Sequence, residues 1–472
     1  MPPLSLNENR LFPADADTRA VARRLYEEVR HLPIISPHGH TDPSWFADNE
    51  HFPNPAELLI IPDHYVFRML YSQGVPLEDL GVRPLDGTGR AVEKDPRKIW
   101  HLFADNFDLF RGTPSRMWLD WVFSEVFGLQ ERLTAKTADH YYDVMAEKLQ
   151  SDAFRPRALF DQFGIEVIAT TEDPLDPLVH HQKIQKEGWG KKVITAFRPD
   201  NVLDPDFRGF RDNLVKLGDM TGEDVATYSG YLNALRNRRA YFKTMGATSS
   251  DHGHPSAFTA DLTDAEASAL YDKVRTEDVT AAEAELFRGQ MLTEMAKMSL
   301  DDGLVMQIHP GCFRNHNDYV YNRFGRDKGA DIPMRTDYVR ALQPLLSKVG
   351  SNPDLTIILF TLDETTYARE LAPLAGHYPA LKLGPAWWFH DSPEGMRRFR
   401  EQTTETAGFY NTVGFNDDTR AFLSIPARHD VARRMDCGFL AKLVVEHRLE
   451  EDEAHEVAHA LSYKLAKEAY KL

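Results

Sequence analysis

The chain has 472 residues, of which 55 are lysine or arginine and 72 are aspartate or glutamate, so its formal net charge at pH 7 is −17. Hydrophobic residues make up 42% of the chain and aromatic residues 11%, which supports a large core and excludes a wholly disordered protein. The acidic balance leaves no basic surface to neutralise phosphates, which excludes nucleic acid as the main partner. The two cysteines, Cys312 and Cys437, cannot form a disulfide framework or a cysteine-based zinc site.

The sequence lacks the features of secretion and membrane insertion. The first twenty residues contain no basic segment followed by an apolar core, so we expect no signal peptide. The longest apolar runs, such as residues 355–360, are far shorter than the ~18 residues of a membrane span. We therefore expect a cytoplasmic protein with no membrane partner. The sequence leaves the oligomeric state open, and a homo-oligomer is one of the states that it allows.

Short apolar, β-branched segments alternate along the chain with segments of helical periodicity. The apolar segments are too short for buried helices, and they lack the polar alternation of strands with one exposed face. The predicted strands cover residues 33–36, 166–171, 193–197, 245–249, 304–309, 355–361, 380–384 and 411–415. Eight such units in succession predict an α/β protein with a (β/α)₈ TIM-type barrel.

The interval between the first and second predicted strands is unusually long. Residues 42–158 are helical and aromatic-rich, with no segment of the strand type, which predicts a large helical insertion after strand 1. We therefore expect three parts in the chain. Residues 1–41 form the N-terminal helix and first strand, residues 42–158 form the insertion subdomain, and residues 159–472 form the remainder of the barrel with its C-terminal helix.

Candidate metal ligands follow the predicted strands. His38 and His40 come directly after the first strand; side chains two residues apart in a strand share a face, and barrel active sites lie at the carboxyl ends of strands. His309 ends the fifth strand, and Asp417 and Asp418 follow the eighth. His309 could instead be a hydrogen-bonded core residue, and either aspartate could cap a helix. Three histidines and one aspartate make a plausible ligand set for a single ion.

Seven sequence blocks, between residue 33 and about residue 435, resemble the uronate isomerases of the amidohydrolase superfamily and follow that family's order. They begin with His38-Gly39-His40 and continue with Asp63-His64-Tyr65, Phe197-Arg198-Pro199-Asp200, Ser250-Asp251-His252-Gly253, the segment from Val305 through His309 to Arg314-Asn315, Trp387-Trp388-Phe389, and the segment from Asp418-x-Arg420 to Arg428-His429. The chain departs from the family at Ser36-Pro37 and at Gly246-Ala247-Thr248-Ser249, and both departures leave the candidate ligands intact.

The resemblance implies a (β/α)₈ barrel that interconverts D-glucuronate and D-fructuronate, and D-galacturonate and D-tagaturonate, in hexuronate catabolism. It also implies one divalent ion, usually zinc, held by His38, His40, His309 and Asp418. No nucleotide cofactor is expected, because no G-x-G-x-x-G sequence follows a strand. The alternative is a mononuclear metal-dependent amidohydrolase or deaminase, which would share these ligands. The predicted ends of strands four and six lack the ligands of two-metal hydrolases, which disfavours two-metal hydrolysis.

An aldose–ketose isomerisation requires a base close to C2 of the open-chain sugar and donors to the developing oxyanion. Tyr65 and the adjacent His64 are a candidate proton-transfer pair, Asp418 is a second candidate acid or base, and His38 completes the predicted catalytic set. The substrate is an anion, and arginine is suited to bind its carboxylate. The sequence does not decide between the candidate arginines. The predicted substrate contacts are Arg198, Asp251, Arg314, Trp387, Trp388 and Arg420.

Overall fold

A computed structural model describes residues 3–472 of the chain; residues 1 and 2 of the predicted N-terminal part lie outside the described residues. The main sheet has seven parallel strands in the order β1-β2-β3-β4-β5-β8-β9, and a separate antiparallel ribbon pairs β6 with β7. The strands are β1 Ile34–Ser36, β2 Ile165–Glu172, β3 Val193–Phe197, β4 Ser249–His252, β5 Val305–Ile308, β6 Cys312–Phe313, β7 Ile332–Pro333, β8 Ile357–Leu359 and β9 Leu381–Leu383.

Six of the eight predicted strands are found close to their predicted bounds, and the fourth is wrong. Residues 245–249 were expected to form it, but β4 begins only at Ser249. Met245 and Gly246 close the preceding helix instead: the amide of Ala247 donates to the carbonyl of Phe242, and Gly246 adopts a φ of +93°. This is the hydrogen-bonding pattern of a helix C-terminus. As a result, Asp251 lies within β4 and not after it.

The eighth predicted strand, residues 411–415, is reduced to a single parallel bridge between Thr412 and Leu383. Gly414 has a φ of +75°, which interrupts the extended conformation directly after this bridge. Beyond it, the amide of His40 donates to the carbonyl of Thr419 at 3.1 Å. The loops at the two edges of the sheet therefore meet, and the sheet is curled.

Helices surround this sheet and fill the long interval after β1. The α-helices are α1 Ala16–Val29, α2 Pro43–Asp48, α3 Pro55–Leu59, α4 His64–Tyr71, α5 Pro96–Asp105, α6 Pro114–Trp121, α7 Ala138–Leu149, α8 Pro156–Gln162, α9 Val179–Lys186, α10 Asp200–Leu203, α11 Phe210–Thr221, α12 Tyr228–Thr244, α13 Asp264–Thr276, α14 Ala281–Asp302, α15 Asp318–Phe324, α16 Gln343–Val349, α17 Ala372–Ala375, α18 Pro393–Ala407, α19 Ile425–Val445, α20 Glu451–His459 and α21 Leu465–Ala469. Among residues 3–472, none of these helices is long and apolar enough to cross a membrane.

The helices between β1 and β2 share an aromatic core. The fully buried rings of Trp100, Phe103 and Phe123 pack edge to face or tilted, with centroids 5.4 to 6.1 Å apart, which is the spacing of favourable aromatic pairs. The segment from β6 to β7 docks on this core through Val320 and Phe324 of α15. Two substructures, the helical segment and the β6–β7 segment, are thus held together beside the carboxyl ends of the strands.

The opposite end of the curled sheet is filled by the C-terminus. The hydroxyl of Tyr470 donates to Oε1 of Gln307 on β5 at 2.9 Å, and both side chains are buried. Leu472 packs against Val167 and Ile194 of β2 and β3. Because apolar and hydrogen-bonded side chains occupy this end, the large cavity lies at the carboxyl ends of the strands.

Candidate active site and metal centre

A cavity of about 700 Å³ opens at the carboxyl ends of the strands. Its walls come from the loop after β1, the N-terminus of α4, the ends of β2 and β3, the segment between β6 and β7, and the loops after β9 and before α19. Nearly all of the predicted site residues lie on these walls. This is the location that parallel α/β sheets provide for active sites, because side chains from separate strands converge there.

Three of the predicted ligands converge inside this cavity. His38, His40 and Asp418 each offer one ligand atom, and these atoms lie within 4.8 Å of one another. Nε2 of His38 is 3.4 Å from Oδ1 of Asp418, and Nε2 of His40 is 3.3 Å from the same oxygen. Two imidazoles and a carboxylate form a donor set that is typical of catalytic zinc and related divalent ions.

His309, the fourth predicted ligand, lies beside this cluster. Its Nε2 is 2.7 Å from Oδ1 of Asp251, and its ring centroid is 6.1 Å from that of His38. Asp251 is fully buried, and its other carboxylate oxygen is 3.4 Å from Nη1 of Arg198. The structure therefore places Asp251 beneath the cavity wall, where it connects His309 to Arg198. Its contact with a substrate stays a prediction.

The buried polar atoms of this region fit a bound cation. Within residues 3–472, both ring nitrogens of His38, both ring nitrogens of His309 and Oδ1 of Asp418 have no aligned hydrogen-bond partner. Buried polar groups are normally paired, and an unpaired one destabilises the fold. A divalent ion bound by His38, His40 and Asp418 would pair Oδ1 of Asp418 and one ring nitrogen of His38, and it would leave the nitrogens of His309 unpaired. The donor set therefore fits a metal site formed by His38, His40 and Asp418.

Asp418 has an unusual backbone conformation. Its φ is +40°, a region that residues other than glycine adopt only when the surrounding structure imposes it. Nη1 of Arg428 on α19 donates to the carbonyl of Asp417 at 3.3 Å, and Nε2 of His429 lies 3.1 Å from Oδ2 of Asp417. Burial alone would raise the pKa of Asp418, but the two facing imidazoles hold it well below its usual value. The carboxylate is therefore ionised.

The turn that carries the two histidines is held from both sides. Oγ1 of Thr171, on β2, donates to the carbonyl of Gly39 at 2.9 Å. On the other side, the amide of His40 donates to the carbonyl of Thr419. One hydrogen bond from the end of β2 and one to the loop of Asp418 thus position the His-Gly-His turn.

His64 and Tyr65 occupy the first turn of α4. This helix begins at His64 because Oδ1 of Asp63 accepts a hydrogen bond from the amide of Tyr65 at 2.8 Å, which is an N-cap. Both side chains line the cavity, and their rings stack with centroids 5.0 Å apart. The predicted proton-transfer pair is therefore presented to the cavity by a capped helix terminus.

Burial determines the protonation of this pair. Burial, together with the positive charge of Arg420, lowers the pKa of His64 to about 3. Burial also raises the pKa of Tyr65 well above its usual value, and the carboxylate of Asp391 adds to this rise. At neutral pH His64 is uncharged and Tyr65 keeps its proton. The Tyr65 oxygen accepts a hydrogen bond from the amide of Phe389 at 3.4 Å, so its own proton is available to a ligand.

All three predicted substrate-binding arginines line the cavity, and each faces a carboxylate. The pairs are Nε of Arg198 with Oδ2 of Asp200 at 3.0 Å, Nη1 of Arg314 with Oδ2 of Asp331 at 3.1 Å, and Nη2 of Arg420 with Oδ2 of Asp327 at 3.4 Å. Burial would lower the pKa of Arg198, but Asp200 and Asp251 raise it above its usual value. The cavity therefore holds three fixed guanidinium groups, each beside a carboxylate of the protein.

Trp387 and Trp388 line the cavity in different ways. Trp387 is almost fully buried, packs against the rings of Phe360 and His309, and donates through Nε1 to the carbonyl of Thr361 at 3.2 Å. Trp388 is half-buried and lies 4.9 Å from the guanidinium of Arg314. Trp388 is therefore the more accessible of the two for stacking on an apolar sugar face.

The sequence analysis did not single out the segment that closes one side of the cavity. Arg326, Asp327 and Asp331 line it, between α15 and β7. The available signal was the charged triplet 326–328 between Gly325 and Gly329, both of which adopt positive φ. Glycines of this kind mark a tight loop that projects its side chains. The segment lies far from every predicted strand, so periodicity alone did not connect it to the site.

Comparison with known proteins places the chain among related enzymes. The glucuronate isomerase family profile matches residues 14–470. The chain belongs to this family. A uronate isomerase from Sphingopyxis alaskensis is similar at 68% identity over 474 aligned residues, which covers 100% of this chain and 99% of that protein. The resemblance seen in the sequence blocks is therefore confirmed across the whole chain.

Solved structures of family members agree with the fold. A crystal structure of glucuronate isomerase from Caulobacter crescentus is similar with a TM-score of 0.97 and 63% identity, covering 99% of this chain and 97% of that one. A crystal structure of uronate isomerase from Thermotoga maritima is similar with a TM-score of 0.91 and 27% identity, covering 99% of each chain. The curled α/β architecture is therefore shared by family members of quite different sequence.

Proposed function

We propose that this protein is an aldose–ketose isomerase that interconverts D-glucuronate and D-fructuronate, and D-galacturonate and D-tagaturonate, in hexuronate catabolism. The observation that carries the proposal is the match to uronate isomerases along the entire chain at up to 68% identity. The cavity supports it with an ionised carboxylate, a protonated tyrosine and fixed arginines, which together suit an anionic sugar.

The proposal includes a finer description of the fold and its parts. The curled sheet is regarded as a (β/α)₈ barrel whose eighth strand, residues 411–415, is reduced to its bridge at Thr412. Residues 42–158 are regarded as a helical insertion subdomain, between an N-terminal part, residues 1–41, and the remaining barrel, residues 159–472. The packing of Trp100, Phe103 and Phe123 against one another within residues 42–158 supports this division.

We propose that the metal is a single Zn²⁺ ion. His38, His40 and Asp418 would hold it, and His309 is the additional donor next to them. When bound, such an ion polarises a carbonyl or hydroxyl oxygen of the sugar as a Lewis acid. The two histidines lie on one turn after β1, so the ion would also fix the position of Asp418 relative to that turn.

The protonation states assign different roles to the candidate catalytic residues. In the forward direction a proton leaves C2 of the open-chain aldose, a cis-enediol forms, and a proton is added at C1 while the O2 hydroxyl proton is lost and O1 becomes a hydroxyl. Asp418 is ionised and can accept the C2 proton and return it to C1. Tyr65 is protonated and can donate to the oxygen that gains negative charge. His64 is uncharged, and its ring stacks on the ring of Tyr65 and so orients Tyr65.

The alternative function, a mononuclear amidohydrolase or deaminase, uses the same ligands and is not favoured by the comparisons. The two are separated by one experiment on the purified, metal-loaded protein. D-glucuronate and D-galacturonate should each yield a ketose without any added nucleotide, with deuterium from D₂O entering at C2 of recovered substrate. Folded protein that turns over neither uronate, but releases ammonia or acid from amides, amines or lactones, would replace the isomerase with the hydrolase.

Variants distinguish proton transfer from binding within the same assay. Tyr65→Phe and Asp418→Asn should lower kcat and kcat/KM together by on the order of 10²-fold, as expected for a lost acid or base. Replacing the arginine that holds the substrate carboxylate with methionine should chiefly raise KM. A Tyr65→Phe enzyme with normal kcat and normal deuterium exchange would remove this residue from the mechanism. Chelation that removes the ion and spares turnover would exclude the Lewis-acid role.

A further inference from the structure

Asp327 places a carboxylate of the protein itself inside the cavity. Its Oδ2 lies 3.4 Å from Nη2 of Arg420, and the two side chains are about half- and one-third-exposed to the cavity. Burial would raise the pKa of Asp327, but Arg420, Arg326 and Arg314 hold it well below its usual value. The carboxylate is therefore charged at any pH at which the enzyme works. Of these three arginines, Arg420 is the one within ion-pair distance of the Asp327 carboxylate.

The other carboxylates that face the cavity arginines are tied to the backbone or fully buried. Asp331, the partner of Arg314, also accepts the amide of Asn315 at 2.7 Å. Asp200, the partner of Arg198, accepts the amide of Gly253 at 3.1 Å. Asp327 differs: across residues 3–472, its carboxylate has its ion pair with Arg420 and no hydrogen bond to a backbone amide. Arg420 is thus the cavity arginine whose counter-ion can be exchanged.

The backbone of this segment keeps the carboxylate where it is. Asp327 has a φ of +58°, and the flanking Gly325 and Gly329 have φ of +83° and +72°. A Cβ atom at Gly329 would lie 2.7 Å from Cβ of Arg68 and 3.2 Å from the carbonyl of His64, so the loop is packed directly against α4. A non-glycine residue in this conformation is strained. The strain is maintained at a position that presents a charge to Arg420.

We infer that Asp327 is an internal counter-ion that occupies the place of the substrate carboxylate at Arg420 and is exchanged for it when a hexuronate binds. This inference rests on the proposed function. The charge of Asp327 opposes binding of the anionic substrate, since the incoming carboxylate must displace it or lie beside it. The same charge re-pairs with Arg420 as the anionic product leaves. Asp327 thereby limits affinity for sugar acids and prevents tight retention of product.

The test compares Asp327→Asn with the wild type at low ionic strength. The variant keeps the shape of the side chain and removes its charge, so KM for D-glucuronate and the calorimetric Kd of D-gluconate, an unreactive sugar acid, should both fall by about fivefold, the size expected for one exposed ion pair. The difference should shrink in high salt, because screening weakens charge interactions in an open cavity. kcat should not rise. Asp318→Asn, at an exposed residue of α15, makes the same change in net charge and should alter neither KM nor Kd.

Two further variants keep the inference falsifiable. Asp327→Gly removes the charge and also relieves the positive φ, so it should tighten binding as Asp327→Asn does, even if the asparagine variant folds poorly. Asp327→Glu retains the charge and should not tighten binding. Weaker binding of D-gluconate by both uncharged variants would show that Asp327 orders Arg420 or binds a hydroxyl group, and unchanged binding would show that it does neither. Both results overturn the inference. If the wild type turns over no uronate, the proposed function fails, while the D-gluconate affinities still decide the role of Asp327.

Discussion

Gly253 is a position where one added methyl group should disable the site and leave the fold intact. It follows β4 directly, and its amide donates to Asp200. Its φ is not among the positive values of the chain, so alanine can adopt the same backbone conformation. A Cβ atom there would lie 2.5 Å from Nη2 of Arg198, 2.8 Å from Cε1 of His309 and 2.9 Å from Oδ2 of Asp200. Residue 253 is therefore a glycine because the surrounding side chains leave no room for a Cβ atom.

The required displacement can be read from these distances. Ordinary van der Waals contact begins at 3.4 Å, so Arg198 must move by 3.4 − 2.5 = 0.9 Å, His309 by 3.4 − 2.8 = 0.6 Å and Asp200 by 3.4 − 2.9 = 0.5 Å. Arg198 ends in a flexible side chain, but it is paired with Asp200. The imidazole and the short aspartate have little freedom. A misplacement of about 1 Å of groups that position a substrate lowers the rate by on the order of 10²-fold.

We therefore expect Gly253→Ala to lose on the order of 10²-fold in kcat/KM for D-glucuronate, with far-UV circular dichroism and Tm close to those of the wild type. Gly438→Ala is the matched control, because it adds a methyl group within α19, where the nearest atom is Cδ of Pro13 at 3.3 Å. The control should retain full activity. A Gly253→Ala enzyme with wild-type kcat/KM would refute the reasoning, since it would mean that Arg198, His309 and Asp200 can shift without consequence.

Three further predictions concern single side chains. Thr171→Val removes the hydrogen bond to the carbonyl of Gly39 and should weaken metal binding about fivefold in a competition with a chelator. Thr171→Ser keeps the hydroxyl group and should restore the affinity for the metal. Equal metal affinities in the wild type and both variants would contradict this prediction. Burial raises the pKa of Glu172 to about 8, so the native state keeps a proton that the unfolded state loses above pH 4.5, and stability falls as pH rises from there to about 8. Glu172→Gln should therefore have a free energy of unfolding at pH 8 that exceeds the wild-type value by on the order of 4 kcal/mol, and it should show no advantage near pH 4.5. Tyr470→Phe leaves Oε1 of Gln307 unpaired and should lower the urea-derived free energy of unfolding by about 1–3 kcal/mol; a change within ±0.3 kcal/mol would indicate that this end of the sheet is not held by the pair.

Local patterns sufficed for the elements that are buried on both faces. The segments of β2, β3 and β5 are apolar and β-branched, and they formed strands close to their predicted bounds. The prediction of residues 245–249 failed because Gly246 and the carbonyl of Phe242 complete the preceding helix. A helix C-terminus and the start of a strand compete for the same residues there. The apolar pattern does not indicate whether the helix or the strand forms the backbone hydrogen bonds of these residues.

The candidate site likewise contains residues that the sequence predicts and contacts that it does not predict. His38, His40 and Asp418 were predicted as candidates because each follows a predicted strand, where a parallel α/β sheet collects its functional side chains. Tyr65 was predicted through the family resemblance of its sequence block. The pairing of His309 with Asp251 could not be predicted from the sequence. It depends on the side-chain rotamers of residues on adjacent strands, and sequence spacing does not report them.

Periodicity and motifs that are local in the chain were enough to predict the α/β class, the helical segment after the first strand, the family and most residues of the cavity. Which side chains come into contact depends instead on the tertiary structure. It brought Asp327 to Arg420 across 93 residues (420 − 327), placed the hydroxyl of Thr171 on the carbonyl of Gly39, and held Asp418 at a φ of +40°. These contacts arise from the packing of loops on α4 and α19 and from the curl of the sheet. They set the protonation and the charge of the cavity, which no local pattern encodes.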